Sequence, residues 1–187
     1  MDLSEKIVLV TGAASGLGAA TALVCAQSGA SLFLIDRDSE GLHSTQAKIR
    51  EFGARSEIYL FDLAERQACF DAVVAAIRSF GALDALCNVA GIVQFHHVRD
   101  VTAEDWNRII AVNLSAPFYL SQAAIPALLR RHGSIVNVAS AGGINGAAYI
   151  VPYSVTKAGL IQMTKSMAME FMNEPIRINA IAPGTMD

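Results

Sequence analysis

The sequence has few charged residues and no concentration of positive charge. Charged side chains make up 17% of the 187 residues, and the formal net charge is −3, with no block of lysine or arginine. A nucleic-acid-binding surface needs a basic patch, so the composition argues against a nucleic-acid partner. Hydrophobic residues make up 53%, which excludes a disordered chain and favours one folded domain that binds a small or neutral ligand.

Cysteine is scarce as well. The three cysteines, Cys25, Cys69 and Cys87, are far apart, and none belongs to a CxxC motif. This pattern argues against both a disulfide framework and a zinc site, so no metal-binding residues are predicted.

Long apolar runs are missing too. The longest stretch without a charged side chain, residues 133–156, is interrupted by Asn137, Asn145, Pro152 and several glycines. It is therefore not expected to span a bilayer. The acidic N-terminus precedes only four strongly apolar residues, which does not resemble a signal peptide. We expect a cytoplasmic protein that does not associate with a membrane.

Short apolar runs alternate with longer helical patterns along the chain. The predicted strands are Ile7–Val10, Leu32–Ile35, Ile58–Phe61, Leu83–Cys87, Ile135–Val138 and Ile176–Ile181. The predicted helices are Gly16–Ser28, Ser39–Phe52, Glu65–Phe80, Thr102–Arg131 and Tyr153–Phe171, the fourth interrupted near Asn113 to Pro117. Strands that are apolar throughout are covered on both faces, which predicts the α/β class with a Rossmann-type, doubly wound parallel sheet.

Two long segments without a clear pattern, Gly91–Val101 and Ala141–Pro152, each follow a predicted strand. Ligands of open α/β sheets bind at the carboxyl ends of the strands, so these loops are expected to border the substrate pocket.

A glycine-rich turn joins the first predicted strand to the first helix. It reads Thr11-Gly12-Ala13-Ala14-Ser15-Gly16-Leu17-Gly18. Glycines let the backbone approach a pyrophosphate, which the free N–H groups at the start of the helix then bind. The alternative is a tight strand-to-helix turn without a ligand.

Asp36 closes the second predicted strand, near the offset of about 20 residues at which an acidic side chain binds the ribose 2′-hydroxyl of NAD. A 2′-phosphate of NADP would meet a carboxylate there, although the adjacent Arg37 could accept it. The position therefore favours NAD over NADP. The alternative is that Asp36 is a helix N-cap or turn residue before Asp38.

A tyrosine and a lysine four residues apart form the strongest chemical signal. Tyr153 and Lys157 stand at i and i+4 of a predicted helix, so their side chains share a face. A neighbouring ammonium, aided by a cationic nicotinamide ring, favours the phenolate form and makes the phenol a proton donor or acceptor for an alcohol. The alternative is an exposed pair on an amphipathic helix.

Taken together, these motifs resemble the short-chain dehydrogenase/reductase family from Lys6 to the last residue. Residues 11–18 match its TGxxxGxG loop, residues 88–91 its NNAG strand end, and residues 183–184 its PG motif. Asn113 is similar to its helix asparagine, and Ser140 lies as far before Tyr153 as the family's serine does.

The resemblance implies hydride transfer between a nicotinamide cofactor and a carbonyl/alcohol pair. It gives Tyr153 the acid/base role, Lys157 the support of the tyrosine and the nicotinamide ribose, Ser140 the substrate oxygen, and Asn113 a water that links Lys157 to solvent. Asn113 could instead mark only the helix interruption, and Ser140 could be a strand-end turn residue. The implied cofactor site comprises Gly12, Ser15, Gly16, Leu17, Gly18, Asp36, Asp62, Leu63, Asn88, Ala90, Gly91, Tyr153, Lys157, Pro183, Gly184 and Thr185.

The chain departs from the family pattern in three ways. Val89 replaces an asparagine of NNAG, and Ala139 replaces a serine next to Ser140. Family members typically have about 250 residues, so we expect residues 1–187 to be a single dinucleotide-binding catalytic domain that lacks the final strand and substrate-covering segment.

The two loops are mostly apolar, which favours a secondary alcohol or ketone with a hydrophobic body as substrate. Two adjacent histidines, His96 and His97, are more often exposed than substrate-binding. The resemblance also implies a homo-oligomer, a dimer or tetramer, through the Thr102–Arg131 helix.

Two other functions fit part of the sequence. One is a nucleotide-binding protein without turnover, and the other is a methyltransferase, which would leave Tyr153 and Lys157 without a role.

Overall fold

The structure, a computed structural model, describes residues 2–185. Within them the helices and strands are β1 (Ile7–Thr11), α1 (Gly16–Gln27), β2 (Ser31–Asp36), α2 (Ser39–Glu51), β3 (Ser56–Leu60), α3 (Arg66–Phe80), β4 (Ala85–Asn88), α4 (Ala103–Ile110), α5 (Ala116–Arg130), β5 (Ser134–Val138), α6 (Gly142–Asn145), α7 (Val151–Glu170) and β6 (Arg177–Ile181). A short 3₁₀ turn covers Val98–Asp100, and a π-helical turn, Ala111–Ser115, joins α4 to α5.

All the strands pair in parallel, in the order β3-β2-β1-β4-β5-β6. The chain therefore leaves β1 toward one edge of the sheet and returns to pair β4 on the other side of β1. In such sheets the crevice at this reversal, outside the carboxyl ends of the strands, is where ligands bind. The predicted doubly wound fold is confirmed.

Successive residues of the central strands pack on opposite sides of the sheet, because side chains alternate along a strand. In β1, Leu9 packs with the side chains of α3 and α5, whereas Val8 and Val10 pack with those of α1 and α2. All three are almost fully buried. Coverage on both faces explains why this strand is apolar throughout its length.

Helix α1 packs against the sheet through small side chains. Its buried residues are Gly18, Ala22 and Ala26, at intervals of one helical turn. Their size allows the helix axis to lie close to the sheet.

The predicted helix over 102–131 runs from Ala103 to Arg130, and its interruption is a π turn rather than a break. Pro117 directly follows the π turn, in the first turn of α5. The last helix starts earlier than predicted, at Val151, since Pro152 suits a first helical turn. The loop predicted over 141–152 also contains the short helix α6.

One helix, Ala103–Arg130 with its π turn, is long and apolar enough to cross a membrane by length and composition alone. In this fold it is a core helix. Ile109, Leu120, Ala124 and Leu128 are at most 1% exposed, and the last three belong to the cluster between the helices and the sheet.

A buried carboxylate ties together three chain segments at the opposite, amino-terminal end of the sheet. Asp84, which is 6% exposed, accepts hydrogen bonds from the Ile7 N–H at 3.0 Å, the Arg131 Nε at 3.0 Å and the Lys6 Nζ at 3.4 Å. The predicted fourth strand included Leu83 and Asp84, but β4 starts after this anchor.

We predict that Asp84→Asn lowers the free energy of unfolding by about 1–3 kcal/mol, because the amide cannot satisfy two cations and an N–H group. Denaturant unfolding of the variant beside wild type measures the change. Asp71→Asn, at an exposed helix position, is the matched control and should stay within about 0.5 kcal/mol. Equal stability of Asp84→Asn and wild type would show that the anchor contributes little.

Candidate functional site

The loop between β1 and α1 fits closely against the end of β4. Gly12 has φ +69°, and a Cβ there would lie 2.9 Å from the Ala90 Cα. A Cβ on Gly18 would lie 2.0 Å from the Gly12 carbonyl oxygen, so neither position admits a side chain. Gly16 instead has nothing within 4 Å of its Cβ position, which leaves space for a ligand beside the backbone.

The threonine before these glycines fastens the loop to β4. The Thr11 hydroxyl accepts hydrogen bonds from the Val89 and Ala90 N–H groups, both at 3.0 Å, and lies 3.4 Å from the Cys87 carbonyl. Thr11 thus fixes the separation of the two strand ends. The sequence motif includes Thr11 but does not predict this contact.

The first turn of α1 is open to an anion. Ser15 stands at the N-cap but makes no side-chain hydrogen bond to the helix, and the first turn carries no acidic residue. The N–H groups there and the positive end of the helix dipole are therefore available to a phosphate.

Asp36 is held rigidly at the end of β2. Its Oδ2 accepts from the Ala14 N–H at 3.1 Å, and its Oδ1 accepts from the Arg37 and Asp38 N–H groups at 2.7 and 3.1 Å. The N-cap of α2 is Asp38, so the alternative of Asp36 as N-cap is wrong. Asp36 does hold the turn that precedes α2, and its side chain also lines the cleft described next.

A cleft of about 350 Å³ lies along the carboxyl ends of β1, β2, β3 and β4. It is lined by Gly12, Ser15, Gly16, Leu17, Gly18, Asp36, Arg37, Asp62, Leu63, Val89, Ala90, Gly91, Ile92, Arg108 and Val112. The set combines glycines, apolar side chains and a helix start with two carboxylates. The close glycine contacts, the open α1 start and the immobilised Asp36 fit a dinucleotide.

Two oppositely charged side chains of the cleft lining contact each other. The Arg108 Nη1 lies 2.9 Å from the Asp62 Oδ2. Partial burial raises the pKa of Asp62, but hydrogen bonds from Ala64 and Arg108 and the charges of Arg108 and Arg37 outweigh this effect and lower that pKa. Asp62 is therefore an anion at neutral pH.

A second cavity, of about 190 Å³, adjoins the first, because Leu17, Val89, Gly91 and Ile92 line both. Its other lining residues are Val93, Val138, Ala139, Ser140, Tyr153, Lys157, Pro183 and Gly184. The structure therefore brings three of the four predicted catalytic residues to one cavity.

Lys157 is buried beneath this cavity. It is 3% exposed, its Nζ donates to the Val138 carbonyl at 2.7 Å, and it lies 5.6 Å from the centroid of the Tyr153 ring. Burial lowers the pKa of Lys157 to about 8. A Cβ on Gly91 would lie 3.3 Å from this Nζ, so the absence of a side chain at position 91 leaves room for the ammonium group.

Asn113 lies in the π turn and lines neither cavity. Its Oδ1 accepts from the Ile92 N–H and its Nδ2 donates to the Ile92 carbonyl, both at 2.8 Å, and the Nδ2 lies 3.3 Å from the Thr156 Oγ1. Asn113 therefore marks the helix interruption and also fixes Ile92, which lines both cavities. A π turn within a helix often accompanies a functional site.

The surroundings of three predicted residues differ: they are Ser140, Asn88 and Thr185. The Ser140 hydroxyl accepts from the Gly142 N–H at 3.1 Å, so it holds a turn while it lines the cavity. Asn88 is buried, and its Nδ2 donates to the Asn137 Oδ1 at 2.8 Å. Neither Asn88 nor Thr185 is among the residues that line the two described cavities.

The two predicted loops meet at residues that line neither cavity, although Gly91, Ile92 and Val93 of the first loop line one or both. The His96 N–H donates to the Tyr149 carbonyl at 2.8 Å, and the His97 and Tyr149 rings lie 6.2 Å apart. Both histidines are exposed, as expected. Ile92, Arg108 and Val112 were not singled out from the sequence. Ile92 lies in the loop expected to border the pocket, and the four-residue spacing of Arg108 and Val112, which places them on one helix face, was the signal for that pair.

Comparison with known proteins gives consistent matches over the whole chain. The short chain dehydrogenase family model matches residues 6–187. The 3-oxoacyl-(acyl-carrier-protein) reductase FabG of Thermotoga maritima is 37% identical, over 100% of this chain and 76% of its own length.

Two solved structures are similar as well. An NAD+-bound xylitol dehydrogenase superimposes with a TM-score of 0.95 at 33% identity, over 100% of this chain and 73% of that protein. A metagenomic short-chain oxidoreductase in complex with NADP has a TM-score of 0.93 at 33% identity, over 98% and 84% respectively.

The buried ammonium of Lys157 predicts a pH-dependent stability. Its folded pKa of about 8 lies below the ordinary lysine value of 10.5, so between these values the unfolded chain binds more protons and stability rises with pH. The free energy of unfolding of wild type minus that of Lys157→Met should increase by up to about 3 kcal/mol from pH 7.5 to 10.5.

Denaturant titrations at several pH values measure this difference. Lys165→Met, at an exposed position on the same helix, is the control and should follow wild type throughout. A wild-type minus Lys157→Met difference that is flat with pH would mean that the buried amine is not titrating in this range.

Proposed function

The chain belongs to the short-chain dehydrogenase family and is an oxidoreductase of CH–OH groups with a nicotinamide cofactor, and from this premise we propose its reaction. It transfers a hydride between NAD and a secondary alcohol or ketone, with Tyr153 as general acid/base. The observation that carries the proposal is the second cavity, where Tyr153, Ser140 and Lys157 meet beside the cleft that fits a dinucleotide. A methyltransferase function does not agree with membership of the short-chain dehydrogenase family.

Each side chain of the second cavity has a chemical role in the proposal. A bound nicotinamide would supply or accept the hydride. Tyr153 gives its proton to the substrate oxygen in reduction and takes it back in oxidation, and the Ser140 hydroxyl donates to the same oxygen, where negative charge develops. The cationic form of Lys157 favours the tyrosinate. Asn113 holds the Ile92 backbone, and so the wall between the two cavities.

The fixed carboxylate of Asp36 supports NAD rather than NADP. Three backbone N–H groups orient it, so it cannot swing aside from a 2′-phosphate without loss of those bonds. A carboxylate accepts about four hydrogen bonds, which leaves capacity for a ribose hydroxyl. Arg37 is the competing group, and similar proteins are known with NAD and with NADP.

The substrate proposed is a secondary alcohol or ketone with a hydrophobic body. Several apolar side chains on the two predicted loops are exposed, among them Val93, which lines the second cavity, and Phe95 and Ile144. An apolar substrate would cover such surface. We also propose that residues 1–187 act as one catalytic domain and that the protein forms a homo-oligomer through the helix from 103 to 130, on which Trp106 and Phe118 are 39% and 42% exposed. The cytoplasmic location stays a prediction.

The first test is Tyr153→Phe. It should remove nearly all turnover of a secondary alcohol and leave the Kd for NADH within about threefold, because it deletes the proton donor and little binding surface. Steady-state kinetics and NADH fluorescence titration measure the two effects. Tyr59→Phe, on β3 outside both cavities, is the control and should keep full turnover.

Unchanged turnover in Tyr153→Phe would overturn the role of Tyr153. Tight NADH binding by wild type without turnover of any alcohol or ketone would favour a nucleotide-binding protein without turnover.

The second test concerns the cofactor preference. Wild type should bind NADH at least about tenfold more tightly than NADPH, and Asp36→Ala should narrow that ratio, since it removes both the ribose acceptor and the charge that opposes a 2′-phosphate. Parallel fluorescence titrations with the two cofactors measure it. Glu40→Ala, in the exposed first turn of α2, should leave the ratio unchanged. A ratio untouched by Asp36→Ala would refute the assignment.

A further inference from the structure

One ion pair lies in the cleft close to Arg37, the neighbour of the Asp36 carboxylate that is proposed to bind the ribose of the adenosine half. Arg108 comes from α4 and Asp62 from the turn after β3, and their side chains meet at 2.9 Å. Of the ion pairs formed by residues 2–185, this is the one whose two members both line the cleft. It therefore joins α4 to the turn after β3.

The pair leaves Asp62 in a defined orientation. Its Oδ1 accepts from the Ala64 N–H at 3.0 Å, and its Oδ2 accepts from Arg108. With each oxygen held once, the carboxylate keeps free lone pairs for another donor. The exocyclic amine of adenine is such a donor.

Stability alone does not explain the contact. The Arg108 and Asp62 side chains are 30% and 47% exposed, and exposed pairs typically contribute between about 0 and 1 kcal/mol. The position of the pair inside the ligand cleft is what distinguishes it from a surface contact.

The arginine also belongs to the wall that leads to the second cavity. Arg108 and Val112 are one helical turn apart, and both line the cleft. The next residue, Asn113, holds the Ile92 backbone. The placement of α4 and of the π turn after it therefore affects both Asp62 and Ile92.

We propose that Arg108 is a positioning residue for the adenine half of the cofactor: it orients the Asp62 carboxylate toward adenine and holds α4 across the cleft from the β3 end. This inference rests on the proposed function, because it presupposes a dinucleotide in the cleft. The contribution of Arg108 passes through Asp62, so it concerns the adenine and not the nicotinamide.

The experiment compares ligands with and without the adenosine part. For Arg108→Met, the Kd for NADH and the Kd for ADP-ribose should each rise about tenfold, whereas the Kd for reduced nicotinamide mononucleotide should stay within about twofold. Arg108→Lys keeps the charge without the planar fork and should recover part of the loss. Arg78→Met, at an exposed position on α3, is the matched control and should bind all three ligands as wild type does.

A double-mutant cycle tests the route through Asp62. Asp62→Asn should raise the Kd for NADH by a similar factor. The double variant Asp62→Asn/Arg108→Met should bind NADH no more weakly than Asp62→Asn alone. Thermal unfolding of each ligand-free variant accompanies the titrations. A Tm within a few degrees of wild type confirms that binding, rather than folding, has changed.

Different results overturn the two proposals. Wild type that binds neither NADH nor NADPH contradicts the proposed function. Wild type that binds NADH, with Arg108→Met equally tight, refutes only the role of Arg108. An equal loss of affinity for NADH and for reduced nicotinamide mononucleotide in Arg108→Met would also refute it, and so would additive effects in the double variant. Both results mean that Arg108 supports the fold in general.

Discussion

The pairing of β1 with β4 is the constraint on which the rest of the site depends. It places the glycine loop after β1 directly beside residues 88–92, and the Thr11 hydroxyl fixes the distance with two hydrogen bonds. The glycine at position 12 has no side chain because this approach leaves no room for one. The cleft, the entry to the second cavity and the space above Lys157 all follow from the way these two strand ends meet.

The second cavity combines a buried cation with apolar walls. An ammonium at 3% exposure loses most of its hydration, and one carbonyl, that of Val138, replaces only part of it. A charge kept under such conditions is destabilising for the fold and is typical of functional sites. The first cleft behaves differently: its charged side chains, Asp36, Arg37, Asp62 and Arg108, balance in sign.

The parts of the fold that local pattern controls were predictable. The apolar runs predicted the strands because both faces are covered, and the four-residue spacing of Tyr153 and Lys157 predicted their common face. Contacts between distant segments were not predictable in the same way. These contacts depend on how helices and strands pack, which no local pattern encodes. They are the ion pair of Asp62 with Arg108, the hydrogen bond of Asn88 to Asn137, and the hydrogen bonds of Asn113 to the Ile92 backbone. The strand predicted over 83–87 began two residues early, because Asp84 serves as an anchor rather than a strand residue.

The small buried side chains of α1 set a limit on how this protein can change. Gly18, Ala22 and Ala26 hold the helix close to the sheet, and the same helix begins at the glycine loop. A larger side chain at any of the three positions would move the helix outward and carry its first N–H groups with it. The usual route to a more stable core, more volume per residue, is therefore closed on this face, and gains in stability have to come from the opposite layer or from the surface.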